Sequence, residues 1–473
     1  MKYDVVIVGA GPSGLFAARE LAAGGKRVAI IDKGKEIRDR SCPLKEGRSA
    51  TCVHCKPCNV ICGWGGAGSY SDGKLTLTPE FGGNLEQYIG RRELMELIDS
   101  VDATFVSHGA SREVFSPDPG FARDIAIRAS TAGLRIIPAA IRHMGTDRSK
   151  EILQSMFLEI SRSCDVMMGT VVESVVIKDG RAAGVRLADG TVIESVAVLL
   201  APGREGSLWM EKTVSALGLR IKSLPVDIGV RVEIPAGIAE AVTDQFYEVK
   251  AILDTPTFDD QVRTFCMCPH GEVTTEYLEQ HDILTVNGHS NRDGNGRTGN
   301  TNFAILVSTD FTEPFKDPNG YGSHIARLAN MLGGGVLVQR LGDLKHGRRS
   351  TPSRIARGLV DPTLKTAEPG DLSFVLPYRH LKGILEMIQA LDVIMPGING
   401  KHTLLYGVEV KFYSLKLALD RDLMTNIPGL FASGDGAGVT RGVIQASASG
   451  IVAARGILKS VTRDLCRLTW EGQ

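Results

Sequence analysis

Three stretches of this chain have residue types and spacings that could do chemistry. Gly9-Ala10-Gly11-Pro12-Ser13-Gly14 fits G-x-G-x-x-G. In such a turn the first glycine permits the tight bend, the second lets the backbone approach a pyrophosphate, and the third lets a helix pack against a strand. Pro12 and Ser13 stand where that helix would begin, and its free N–H groups would face the phosphates. Cys52, Cys55, Cys58 and Cys62 are spaced C-x2-C-x2-C-x3-C, four thiols within eleven positions. Thiolates this close can converge on an iron–sulfur cluster, and a 4Fe–4S site would need Cys62 or a remote fourth ligand such as Cys42. The residue after Cys62 is Gly63 rather than the proline of the ferredoxin pattern. Zinc, with His54 also available, and free thiols or a disulfide stay open as alternatives. In the third stretch, His289 to Arg297, an imidazole and two guanidiniums (Arg292 and Arg297) could bind an anionic substrate and move a proton. A solvated loop is the plain alternative. Lys74, Tyr406 and Glu409 are further catalytic candidates. Glu409 and Lys411 share a strand face and could equally form an ion pair. Arg348 and Arg349 could hold a phosphate or carboxylate, or be merely exposed.

These residues need elements to position them. Tyr3–Val8 is short, apolar and largely β-branched, as suits a strand buried on both faces of a parallel sheet. A helix is expected from Ser13 to about Ala23, ended by Gly24-Gly25. Arg27–Ile31 makes a second strand, and Asp32 at its end could accept hydrogen bonds from ribose hydroxyls, with Lys33 beside it. Strand, helix, strand and terminal acid in register point to a dinucleotide. Further on, Asp179-Gly180 and Asp189-Gly190 between β-branched runs predict hairpins. A buried strand then ends in Ala201-Pro202-Gly203. A last strand ends at Gly434-Asp435, and a small-residue helix follows from about Val443 to Leu458.

Three such segments in this order resemble the glutathione-reductase-type FAD superfamily. The resemblance implies FAD, with Asp435 on the ribityl chain and Arg441, Gly442 and Val443 presenting helix N–H groups to the flavin pyrimidine edge. It also implies cofactor contacts at Val172, Ala201, Gly203 and Gly434. Gly65-Gly66-Ala67-Gly68-Ser69-Tyr70-Ser71-Asp72-Gly73-Lys74 resembles the segment after the second strand in a bacterial family of FAD-dependent dehydrogenases, which places Gly65, Gly66, Ser71, Asp72 and Lys74 at the cofactor. The similarity continues through His143–Asp147, Phe265–Pro269, Asn287–Asp293, Gly342-Asp343 with Gly347–Ser350, and Leu405–Phe412, and so covers nearly the whole chain.

The expected fold class is α/β. A discontinuous Rossmann-like FAD-binding domain (1–80, 165–222, 395–473) would be joined by a second, α+β substrate domain (81–164, 223–394). No second G-x-G-x-x-G is present, so NAD(P)H would be at most a transient co-substrate, and an electron-transfer protein partner is the other source of electrons. Lys plus Arg and Asp plus Glu both number 54. No block of like charge stands out, which argues against nucleic-acid and membrane partners. No signal peptide and no long apolar span is visible, and the cysteine usage fits a reducing, cytoplasmic setting. The reading is an FAD-dependent oxidoreductase, a dehydrogenase or reductase, acting on a small anionic molecule, with an iron–sulfur relay as an option. A flavin-dependent monooxygenase, an RNA-modifying flavoprotein and a non-enzymatic redox sensor are the alternatives.

Overall fold

The computed structural model describes residues 2–43, 46–49, 53, 55–70, 73–144, 146–222, 225–278, 281–289, 297–309, 311, 317–412 and 416–470. The chain forms two compact units: 1–113 with 142–224 and 414–473, and 114–141 with 225–413.

The first unit is built on a seven-stranded sheet in the order Asp165–Met168, Val28–Asp32, Lys2–Val8, Val192–Leu200, Arg181–Leu187, Val172–Lys178, with Leu430–Ala432 also paired to Val192–Leu200. Lys2–Val8 lies parallel to both neighbours, Val5 opposite Val28 on one side and Ala197 on the other. Its apolar run, Tyr3 and Val5–Val8, is buried, as suits a strand in the middle of a parallel sheet. The helix Pro12–Ala23 starts with proline at its first turn, where no intrahelical N–H is needed, and ends at Gly24. The long helix Val443–Trp470 packs against it. The expected hairpins are present as Val172–Lys178, Arg181–Leu187 and Val192–Leu200.

The second unit carries an eight-stranded sheet in the order Glu368–Pro369, Leu337–Arg340, Leu404–Lys411, Val226–Pro235, Asn300–Thr309, Gln261–Cys268, Lys250–Asp254, Leu134–Ile137. All its pairings but the first are antiparallel. Alternation along Val226–Pro235 sends Ile228, Val230, Val232 and Ile234 into an apolar core, with Ile384, Met387, Ile388 and Leu391 of the helix Tyr378–Leu391. Asp227, Arg231 and Glu233 take the alternate positions and are also buried. A separate hairpin, Glu272–Leu278 with Ile283–His289, has its Val273 and Val286 packed with Leu404 and Tyr406.

The units differ from the expected domains in two places. Residues 81–113 and 142–164 belong to the first unit, because the helices Arg91–Ser107 and Thr146–Ile160 send Leu97, Ile98, Val101, Ile152 and Met156 into its core. Residues 395–413 belong to the second, because Leu404–Lys411 pairs with Val226–Pro235. Among the described residues no helix is long and apolar enough to cross a membrane.

Candidate functional site

In the first unit the glycine-rich turn follows directly from Lys2–Val8. Gly9 has φ +109°, and a Cβ there would lie 2.2 Å from the carbonyl oxygen of Ala201. A Cβ on Gly14 would lie 2.0 Å from the carbonyl oxygen of Gly9. Both glycines are therefore demanded by the protein itself. Gly11 is not: its φ of −78° suits any residue, and nothing lies within 4 Å of where its Cβ would be. It caps the helix Pro12–Ala23 with no side-chain hydrogen bond, so backbone N–H groups are left at that end. Open space at Gly11 between two crowded glycines fits a group that needs the backbone bare, as a dinucleotide pyrophosphate does.

The predicted loops converge on this turn. The Gly65 N–H donates to the Ala10 carbonyl at 2.8 Å. A Cβ on Gly66 would stand 3.2 Å from Gly11 Cα, and one on Gly68 would stand 3.6 Å from Val443 Cγ2. Ala201 N–H donates to the Val8 carbonyl at 2.8 Å, and Ser433 N–H to that of Leu200 at 3.0 Å. Gly436 leaves no room for a Cβ against the Gly203 carbonyl, at 2.7 Å. The Arg441 N–H bonds to the Gly82 carbonyl at 2.8 Å, and Gly442 and Val443 open the long helix. Gly9, Gly11, Pro12, Ser13, Gly14, Gly65, Gly66, Ala201, Gly203, Gly434, Asp435, Arg441, Gly442 and Val443 are thus gathered by one unit.

Asp32 stands at the end of its strand, and its carboxylate accepts from the N–H groups of Ala10 (2.9 Å), Gly34 (2.8 Å) and Gly63 (3.0 Å). It ties the glycine turn to the loop that leads into Gly65, a role the spacing alone did not suggest. Lys33 pairs with Glu205 at 3.7 Å. Gly169 and Thr170 N–H groups bond to the carbonyls of Gly34 and Asp32, two residues before Val172 begins its strand. Lys74 opens the short strand Lys74–Thr76, paired with Ile141–His143. Asp435 accepts from Thr440 Oγ1 at 2.8 Å and lies 3.6 Å from Arg204. Burial raises its pKa above the usual carboxylate value, although Arg204, Thr440 and Arg441 all work against the rise. Ser71, Asp72, Arg292 and Cys52 lie outside the described residues.

Four residues that organise this site, Ser433, Ser449, Arg40 and Gln445, were missed in the sequence. Ser13 Oγ meets Ser433 Oγ at 2.6 Å, and Ser449 Oγ accepts from Gly434 N–H at 3.0 Å. Arg40 is buried, and its guanidinium donates to the carbonyls of Asn59, Val60 and Trp64 and to Ser69 Oγ, at 2.6–2.9 Å. Gln445 Nε2 donates to the Phe81 carbonyl at 3.2 Å, holding that loop on the long helix. Their partners are backbone atoms or side chains at least 29 positions away, so no local signal marks them.

The cysteines are placed differently from a metal centre. Cys42, Cys55 and Cys58 are half-buried and Cys62 is buried. Among the described residues no three His, Cys, Asp or Glu side chains gather as a metal-holding set; Cys52 and His54 lie outside those residues. Burial pushes the Cys62 thiol up to about 12. The iron–sulfur and zinc readings gain no support here.

His289, Tyr406 and Glu409 belong to the second unit. His289 ends its strand, half-buried. Tyr406 is fully buried and donates its hydroxyl to Glu233. Burial, and next the Glu233 carboxylate, drive its pKa well above 10, so it keeps its proton. Glu409 is buried between Arg231 (3.3 Å) and Lys411 (3.1 Å), which realises the ion pair on the shared face. Arg231 also donates to Asn302 Oδ1 at 2.8 Å and to the Cys266 carbonyl at 2.7 Å. Burial opposes the Arg231 charge, but Glu409 holds its pKa above the ordinary value.

Fold and site are those of an FAD-binding protein. Residues 2–47 match the family model of the FAD binding domain, and residues 225–412 match that described as FAD-dependent protein, C-terminal domain-like. A protein of Clostridium beijerinckii named only as uncharacterized is 26% identical over 490 residues, spanning 97% of this chain and 81% of its own. Among solved structures, L-proline dehydrogenase from P. horikoshii is 12% identical with a TM-score of 0.42, spanning 97% of this chain and 94% of that one. Glycine oxidase from Geobacillus kaustophilus is 13% identical with a TM-score of 0.40, spanning 97% and 95%. Superpositions at this level carry no argument about activity.

Proposed function

We propose that this chain is an FAD-dependent dehydrogenase or reductase acting on a small anionic organic molecule. The observation that carries the reading is the bare, uncrowded backbone at Gly11 between two glycines the fold itself requires. Bound FAD supplies two-electron chemistry, in which a hydride equivalent passes between a substrate carbon and the flavin while a proton passes to or from a side chain or water. The chain's part is to hold the pyrophosphate on the Gly11 turn and the end of the helix Pro12–Ala23. Asp435 would accept hydrogen bonds from the ribityl hydroxyls, its carboxyl raised by burial above the usual value. Tyr406 holds its proton too tightly to act as a base, and Glu409 is engaged by two cations. His289 is then the favoured group for moving a proton, with Lys74 as the candidate on the flavin side. Electrons would come from substrate, from a transient nicotinamide or from a protein partner, in the cytoplasm.

The test is an anaerobic visible spectrum of the purified chain, followed by mixing with organic and amino acids and with NAD(P)H. Flavin bands that bleach with one donor class support the proposal. Failure to bind FAD on reconstitution overturns the cofactor assignment. Bound flavin that no donor bleaches and no acceptor reoxidises favours the sensor reading. Iron and sulfide analysis of the same sample decides the cysteine question.

A further inference from the structure

The chain as a whole is neutral, yet residues 340–357 contain six basic side chains and one acid. The acid is Asp343, fully buried at the start of a short helix in the second unit. Three guanidiniums close on its carboxylate: Arg340 at 3.0 Å, Arg348 at 3.1 Å and Arg354 at 3.2 Å, with Ser350 Oγ donating at 2.8 Å. One negative charge is thus met by three positive ones. Arg340 is nearly buried, whereas the Arg348 side chain is 49% exposed. Arg348 gives only its Nε to Asp343, and Arg349 gives only its Nε to the Ser350 carbonyl, at 3.4 Å. Among the described residues the terminal nitrogens of both have no acceptor. Arg357 is exposed one turn beyond Ser353, bonded through Nε alone. The chain at Lys401 adjoins the loop, its carbonyl accepting from Gly342 N–H at 3.1 Å. The surplus charge is felt nearby: burial first, then Lys401 and Arg340, lower the pKa of His402.

We infer that the Arg348–Arg349 loop is a binding site for a phosphate-bearing small molecule. Arginine forks match phosphate oxygens in pairs, and a guanidinium already fixed on one carboxylate loses less freedom when it takes a second oxyanion. The convergence of three forks on a single carboxylate is on the scale of one phosphate group rather than of an extended polyanion. The site lies apart from the glycine turn in sequence and in unit, so its failure and that of the flavin assignment are separable.

The test is calorimetric titration of the FAD-loaded chain with inorganic pyrophosphate at low salt. Saturable binding at one site is expected, weakened about tenfold or more in R348Q/R349Q, since a charge-assisted contact contributes roughly 1.5–3 kcal/mol. R348K, which keeps the charge but not the fork, should fall between. Both variants leave Arg340 and Arg354 on Asp343, and an unchanged flavin spectrum and melting temperature show that they fold. NADPH binding more tightly than NADH names a phosphorylated nucleotide as the source, and co-sedimentation with phosphatidate vesicles names a lipid phosphate. No saturable pyrophosphate binding, equal binding by the variants, or binding confined to an RNA duplex overturns the inference.

Discussion

In the first unit the buried side chains of the strand Lys2–Val8 are apolar, and the polar chemistry around them sits in loops at strand ends. In the second, Asp227, Arg231, Glu233, Glu409 and Lys411 are buried on the sheet itself. The difference shows in the way each unit satisfies its polar groups. At the glycine turn, Asp32 holds three backbone N–H groups, while Gly11 keeps its space open. The sheet of the second unit pairs its charged groups internally: Arg231 with Glu409 and Asn302, and Glu233 with Tyr406, Thr363 and Asn300, while Asn302 Nδ2 has no partner among the described residues. An arrangement satisfied within the chain points to architecture. One with room beside bare backbone points to a ligand.

The largest effect expected from this contrast is at Arg231. Replacing it with Met leaves Glu409 and Asn302 short of a buried donor and should cost about 3–5 kcal/mol, seen as a lower urea midpoint. R231M/E409L should recover part of that loss, because it removes the unpaired carboxylate, while Asn302 still lacks its donor and Lys411 loses Glu409. A single variant as stable as the parent would dissolve the comparison.

Next comes Asp343. Burial alone would raise its pKa, but hydrogen bonds from Arg340, Ser350 and Arg348 outweigh it and hold the carboxyl at about 2. A pKa depressed in the folded chain stabilises it above the unfolded value and is lost as pH falls through the folded one. Unfolding free energy should therefore drop by roughly 2 kcal/mol between about pH 4 and pH 2, and D343N should lack that component. Equal acid sensitivity in parent and variant would mean that the three arginines are not fixed by this carboxylate.

Legibility in the sequence follows the same division. The turn at Gly9–Gly14, the hairpins and Gly434-Asp435 were readable because glycine requirements are local: a bend or close approach is written into neighbouring residues. Asp32 was placed correctly at its strand end, but its three backbone partners were invisible, since Gly63 is 31 positions away. The layer around Arg231 could not be read, because Asn302 and Glu409 lie 71 and 178 positions off. Alternation also fails locally there: register shifts between Phe265 and Cys268, with Cys266 at φ +45°, so this strand end does not keep simple strand geometry. Arg348 and Arg349 were readable as oxyanion candidates, but the gathering of Arg340, Arg348 and Arg354 on Asp343 was not, since an even count of charges says nothing about where they gather.

The smallest expected changes in stability test the first unit. Gly14→Ala drives a Cβ into the Gly9 carbonyl, and overpacking of this kind costs about 1–3 kcal/mol. Gly11→Ala meets nothing and needs no unusual φ, so stability of the flavin-free chain should stay within about 0.5 kcal/mol of the parent. The methyl group would nevertheless stand where a pyrophosphate must approach, and FAD affinity should fall at least tenfold, measured by flavin fluorescence on reconstitution. A substitution silent for the fold and costly for the ligand is what separates a binding turn from a packing turn. If Gly11→Ala takes up FAD as well as the parent, the open space is incidental and the cofactor lies elsewhere on the unit. If it destabilises the flavin-free chain as much as Gly14→Ala does, the turn belongs with the second unit's network, as architecture.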